Sequence, residues 1–74
     1  IPTISVIIGE GSLVRATATI GNHVYIGANT TIDIGVTIGN YVTIGDNVVI
    51  SEGHVIGDNE TIASGSVLNK DLTS

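Results

Sequence analysis

The sequence predicts an all-β chain wound into a parallel β-solenoid of about four triangular coils, and three observations predict it. Aliphatic residues return at every sixth position without a slip. A second series of mostly small or β-branched residues stands two places before each of them. Glycine, asparagine and aspartate gather in the intervals between.

Each element follows from that beat. The aliphatic series runs Ile8, Val14, Ile20, Ile26, Ile32, Ile38, Ile44, Ile50, Ile56, Ile62 and Leu68. The preceding series runs Val6, Ser12, Ala18, Val24, Thr30, Val36, Val42, Val48, His54, Glu60 and Ser66. Residues two apart on a strand point to the same face. Each hexad therefore supplies a short strand with an inward pair, from Val6 with Ile8 to Ser66 with Leu68. A corner follows. Glycine stands directly after the aliphatic residue at 9, 21, 27, 39, 45 and 57, replaced by Arg15, Asp33, Ser51, Ala63 and Asn69 elsewhere. The expectation is that these glycines turn the chain through backbone angles closed to other residues. Asn22, Asn40, Asp46 and Asp58 are the other expected turn formers.

Three hexads close a triangle, and successive triangles stack about 4.8 Å apart through parallel-sheet hydrogen bonds. Ile8, Ile26, Ile44 and Ile62 should then share one file, Val14, Ile32, Ile50 and Leu68 a second, and Ile20, Ile38 and Ile56 a third. A β-sandwich needs hairpin turns and gives no reason for an unbroken six-residue beat. A helix has a period near 3.6, which six does not match.

Composition agrees. Seventy-four residues make at most one small domain, and a compact chain this short is usually marginal. It has no cysteine to staple it. Stability must come from the architecture or from an oligomer. With no Phe, Trp or Met, the core has to be Ile, Val and a little Leu, residues that suit pleated strands. The net charge is −5, with Arg15 and Lys70 as the strong cations, so clustered basic side chains for nucleic acid or anionic lipid are missing. There is no apolar run of roughly 18–20 residues and no signal-peptide pattern, and the cytoplasm is the expected compartment. The chain opens Ile1-Pro2 without an initiator methionine, as a piece of a longer protein or an engineered sequence would.

The residue before each core aliphatic points outward. One column holds Leu13, Thr31, Val49 and Val67; a second Ile7, Tyr25, Thr43 and Thr61; a third Thr19, Thr37 and Val55. The Leu13 column is the most apolar and is the expected subunit interface, although scattered exposed valines also occur without one. Pro2 and the Lys70-Asp71 segment are candidates to blunt the open ends. The outward threonines form only short, unpaired columns, too few for an ice-binding row.

The pattern aliphatic-Gly-x-x-x-x, with a small residue before the next aliphatic, resembles the hexapeptide-repeat acyltransferases over nearly the whole chain. Those proteins form left-handed helices, so the resemblance implies that hand where the ordinary crossover rule gives the opposite one. They are typically homotrimers with helices packed side by side. In detail, SVIIGEGSLVRATATIGNHVYIGANTTIDIGVTIG is similar to bacterial sugar O- and N-acetyltransferases. The tail IGDNETIASGSVLNKDL resembles a last coil that often reads IG-x-G-S-V-V-x-K-D. That region approaches acetyl-coenzyme A in the family, which as co-substrate implies Ala63, Ser64, Gly65 and Lys70 here. Gly65 and Ser66 are equally explained as a corner.

Acyl transfer to a hydroxyl or amine needs a base, usually histidine, and donors for the developing oxyanion. The family's turn for that base aligns with Asp33-Ile34-Gly35, so its place is taken by Ile34, which accepts no proton. His23 lies outward beside a turn, in a column with Tyr41 and Asn59. It is either a solvated surface histidine or, at a subunit seam, the base. His54 and Glu60 fall in the inward series, where unpaired charge is costly. Either they share a hydrogen bond or the last coil lets water reach both. Two histidines thirty-one positions apart do not supply the three ligands of the metal-dependent carbonic anhydrases that share this fold, so no metal is expected.

Two functions remain. The chain is the β-helical part of a coenzyme A-dependent acyltransferase acting on a sugar or other small acceptor, or it is a non-catalytic structural or trimerising solenoid, engineered or truncated. Fold likeness alone does not choose between them.

Overall fold

The computed structural model describes residues 5–68. Every one of its eleven strands is two or three residues long, as the two-residue inward pairs require. Val6–Ile8, Val24–Ile26, Thr43–Ile44 and Thr61–Ile62 form a first sheet. Leu13–Val14, Thr31–Ile32, Val49–Ile50 and Val67–Leu68 form a second, and Thr19–Ile20, Thr37–Ile38 and Val55–Ile56 a third. All neighbouring strands are parallel, in the eighteen-residue register expected: Ile8 opposite Ile26, Ile32 opposite Ile50, and Ile38 between Ile20 and Ile56. The chain is a three-sided parallel β-solenoid of about four coils.

The three files meet inside. Ile26, Ile32, Ile38, Ile44, Ile50 and Ile56 are buried together with Val24, Val36, Val42 and Val48. Thr30 is the buried polar residue. Its hydroxyl donates to the Gly45 carbonyl at 2.8 Å and accepts the Val48 N–H at 3.3 Å. Ser12 makes the same pair of bonds one coil earlier, to the Gly27 carbonyl and from the Thr30 N–H. The first coil has no coil beneath it among the described residues, so its inward Val6 and Ile8 are exposed.

The corners work differently from the expectation. The glycines directly after the core aliphatics do not adopt left-handed angles. Positive φ occurs two residues later, at Gly11, Thr17, His23, Asn29, Gly35, Tyr41, Asn47, Gly53, Asn59 and Gly65, one per hexad. The glycine after the aliphatic is required by stacking. A Cβ on Gly9 would lie 2.6 Å from the Ala28 amide nitrogen, and one on Gly45 2.6 Å from that of Ser64. Gly57, which has no coil above it among the described residues, would meet nothing within 4 Å.

Asn40, Asp46 and Asp58 also act across coils. The Asn40 side chain accepts the Asn22 N–H, Asp46 that of Ala28, and Asp58 that of Asn40, each at 2.8 Å. Ser64 Oγ accepts the Asp46 N–H at 3.0 Å. These side chains satisfy corner amides that would otherwise stand outside the sheets.

Candidate functional site

The three corners differ in chemistry, and that difference places the candidate residues among those described. The corner between the third and first sheets carries Ser5, His23, Tyr41 and Asn59, one above another. His23 and Tyr41 both have left-handed backbones, with φ of 58° and 60°. Consecutive coils thus project their rings in the same direction. The rings stack with centroids 4.8 Å apart and planes 8° from parallel, a separation matching the spacing between adjacent strands. His23 is exposed, and Tyr41 is 60% exposed. Tyr25 projects from the first sheet two residues after His23 and is 47% exposed.

The corner between the first and second sheets carries Ala63, Ser64 and Gly65 in its uppermost described coil. All three are exposed. The Gly65 N–H donates to the Asp46 carbonyl at 2.8 Å, and the Ser66 hydroxyl donates to the Ala63 carbonyl at 2.6 Å. In the coils below, the equivalent amides of Ala28 and Asp46 are taken by side chains from the coil above. The Ser64 amide has no such partner among the described residues, and a Cβ on Gly65 would meet nothing within 4 Å. Among the described residues nothing covers this exposed donor. Lys70, the expected phosphate contact, lies outside the described residues, as do Pro2 and Asp71.

The remaining corner, between the second and third sheets, lacks glycine directly after the aliphatic residue. Arg15 Nε lies 3.5 Å from Asp33 Oδ1, with both side chains partly exposed. Such a surface pair adds little stability, yet it occupies the one described Lys or Arg. Ile34, in the place the resemblance gives to a base, is 46% exposed and donates its N–H to Asp33 Oδ1 at 2.7 Å.

His54 and Glu60 do not pair. Glu60 is exposed and His54 is partly buried. Neither side chain makes a hydrogen bond or ion pair among the described residues. The open upper coil gives both access to water, which removes the cost that burial would impose.

His23 and the Ala63–Gly65 corner flank opposite edges of the first sheet and stand two coils apart, roughly 10 Å along the axis. A single copy does not bring them together. The Leu13 face is opposite the His23 corner in the triangular section; Leu13, Val49 and Val67 are exposed on it and Thr31 is partly buried. The stacked ring pair was not foreseen, although a shared eighteen-residue column for His23 and Tyr41 was visible in the sequence.

No helix among the described residues is long and apolar enough to cross a membrane. No curated protein and no solved structure matches the chain. Residues 17–52, the span of two coils, match the family model described as the hexapeptide repeat of succinyl-transferase. The same six-residue beat continues on both sides of the matched span and builds the solenoid from Ile8 to Leu68.

Proposed function

We propose that this solenoid is the β-helical part of a coenzyme A-dependent acyltransferase that acylates a sugar or another small hydroxyl or amine acceptor. The observation that carries the reading is the match of two whole coils to the repeat of succinyl-transferase, a class typified by acyl transfer. The exposed Ser64 amide at an open corner supports it, because a pantetheine arm presents carbonyls to such donors. Lys70 supplies the cation for the nucleotide phosphates, since Arg15 is engaged by Asp33.

His23, the exposed one of the two histidines, is the residue assigned to take a proton from the acceptor. Its separation from Ala63–Gly65 within one copy requires the two parts of the site to come from different copies. A closed ring of three brings the two corners side by side when the Leu13/Thr31/Val49/Val67 face of one copy packs against the third sheet of the next. This leaves the first sheet in solvent and the two-coil offset along the axis to be spanned by the pantetheine arm. That contact is heterologous.

Isothermal calorimetry of the full chain with acetyl-coenzyme A and succinyl-coenzyme A tests the reading. Saturable heat at millimolar ligand or below supports it; none with either thioester overturns it. Where binding is found, His23→Ala should abolish turnover, and unchanged turnover would remove His23 from the reaction. Ile34 favours a second reading, a non-catalytic trimerising module, because an aliphatic side chain stands where the resemblance expects a base. A trimer that binds neither thioester would establish that alternative.

A further inference from the structure

We infer that the ring ladder at the corner between the third and first sheets is a binding platform for a neutral carbohydrate ring, with the open face of Tyr41 as its floor. The inference does not rest on acyl transfer and stands for a binding module as well as for an enzyme.

The starting point is where the sequence accepts strain. Ten described corner positions have positive φ, and seven hold Gly or Asn, the residues that adopt it most readily. Of the other three, Thr17 is the only one in its column, whereas His23 and the bulkier Tyr41, for which such a backbone is uncommon, occupy consecutive coils of one column. Strained backbone retained at a surface points to a use for the side chain. The core gains nothing from these rings, since both are exposed.

The geometry then says what kind of use. His23 covers one face of Tyr41. On the other side the column continues with Asn59, which is exposed and brings no second ring to the stack. Tyr41 accordingly keeps 60% of its surface in water. A further ring seated on that face would occupy the next step of the ladder. Around this step stand the Asn59 amide and the hydroxyls of Thr43 and Thr61, neighbours on the first sheet's outer face. All three residues are exposed, with Tyr25 paired to Thr43 one coil lower.

An exposed ring with amide and hydroxyl groups beside it offers a small polar molecule an apolar contact and hydrogen-bond partners at once. Asp58 and Glu60 flank Asn59, and the chain is net negative, which disfavours phosphorylated or carboxylated ligands. A pyranose presents an apolar C–H face to the phenol and equatorial hydroxyls to Asn59 and the threonines. A neutral sugar fits each of these features.

The test is an NMR titration of the 74-residue chain with methyl β-glucopyranoside up to about 50 mM, in the weak range expected of an open surface. The Tyr41 ring signals and the Asn59, Thr43 and Thr61 amides should shift together and saturate. Tyr41→Asn should weaken the affinity at least roughly tenfold, the effect of losing one stacking surface. That variant should keep its fold, because Asn29, Asn47 and Asn59 already hold the same backbone conformation, and its melting curve checks this. Val55→Asn, on the third sheet, should leave binding unchanged. Absence of saturable shifts at these groups, or shifts that persist in a folded Tyr41→Asn variant, overturns the proposal. So does tighter binding of adenosine than of the glycoside, which would make the floor a seat for planar bases.

Discussion

Alanine at Gly27 and alanine at Gly57 should have opposite effects on stability, although both glycines follow a core isoleucine and neither has positive φ. At Gly27 a Cβ would stand 2.7 Å from the Gly45 carbonyl carbon and 2.8 Å from the Asp46 amide nitrogen, and closer still to Asp46 Oδ1. Backbone atoms cannot swing away, so the coils must separate locally. The separation also weakens the bond from the Ala28 N–H to Asp46. Overpacking typically costs about 1–3 kcal/mol and a lost hydrogen bond about 1 kcal/mol, for a total near 2–4 kcal/mol. In a domain of this size the melting temperature should fall by roughly 10–25 °C. At Gly57 the new methyl meets nothing within 4 Å, and restricting the unfolded chain should stabilise by about 0.4–1 kcal/mol. Thermal and urea melts followed by circular dichroism measure both. Equal destabilisation of the two variants would refute the stacking explanation and return the glycines to a conformational role.

Other outcomes follow from the same structure. Thr30→Val leaves the Gly45 carbonyl and Val48 N–H without their hydroxyl partner and should cost about 1–3 kcal/mol, whereas Thr30→Ser should recover much of that loss in a urea titration. Ile38→Ala, in the middle of its file, should cost about 2–5 kcal/mol. Ile8→Ala, at the exposed start of another file, should cost much less, and equal effects would argue against a core that fades toward the first coil. The pair Leu13→Asp and Val49→Asp should lower the sedimentation mass to that of one copy without unfolding it. An unaltered mass would place the subunit contact on another face.

The fold was legible because a single period carries it. Ile26, Ile44 and Ile62 lie in one sheet register for the reason read from their spacing: eighteen residues separate equivalent points on successive coils. The corners were legible only as places. Their mechanism was not, because glycine serves two needs that look alike in sequence. At Gly27 the next coil comes too close for a Cβ, whereas at Gly35 the backbone is left-handed. A signal for the second need was present in the recurrence of Gly or Asn at 11, 29, 35, 47, 53, 59 and 65, one step away from the series first noticed.

Sites were less legible. Spacing showed that His23 and Tyr41 share a column, but the parallel stacking depends on backbone angles that spacing does not specify. His54 and Glu60 looked like a buried pair because they belong to the inward series. Inward at the last described coil still means within reach of water, since burial requires a coil on both sides.

The central claim is that residues eighteen apart lie side by side in three files around one interior. Methyl-labelled NMR tests it most directly, through nuclear Overhauser contacts among the isoleucines. The account predicts contacts from Ile38 to both Ile20 and Ile56, and from Ile44 to both Ile26 and Ile62. Contacts that instead fold the chain back on itself, such as antiparallel pairing between adjacent hexads, would contradict it.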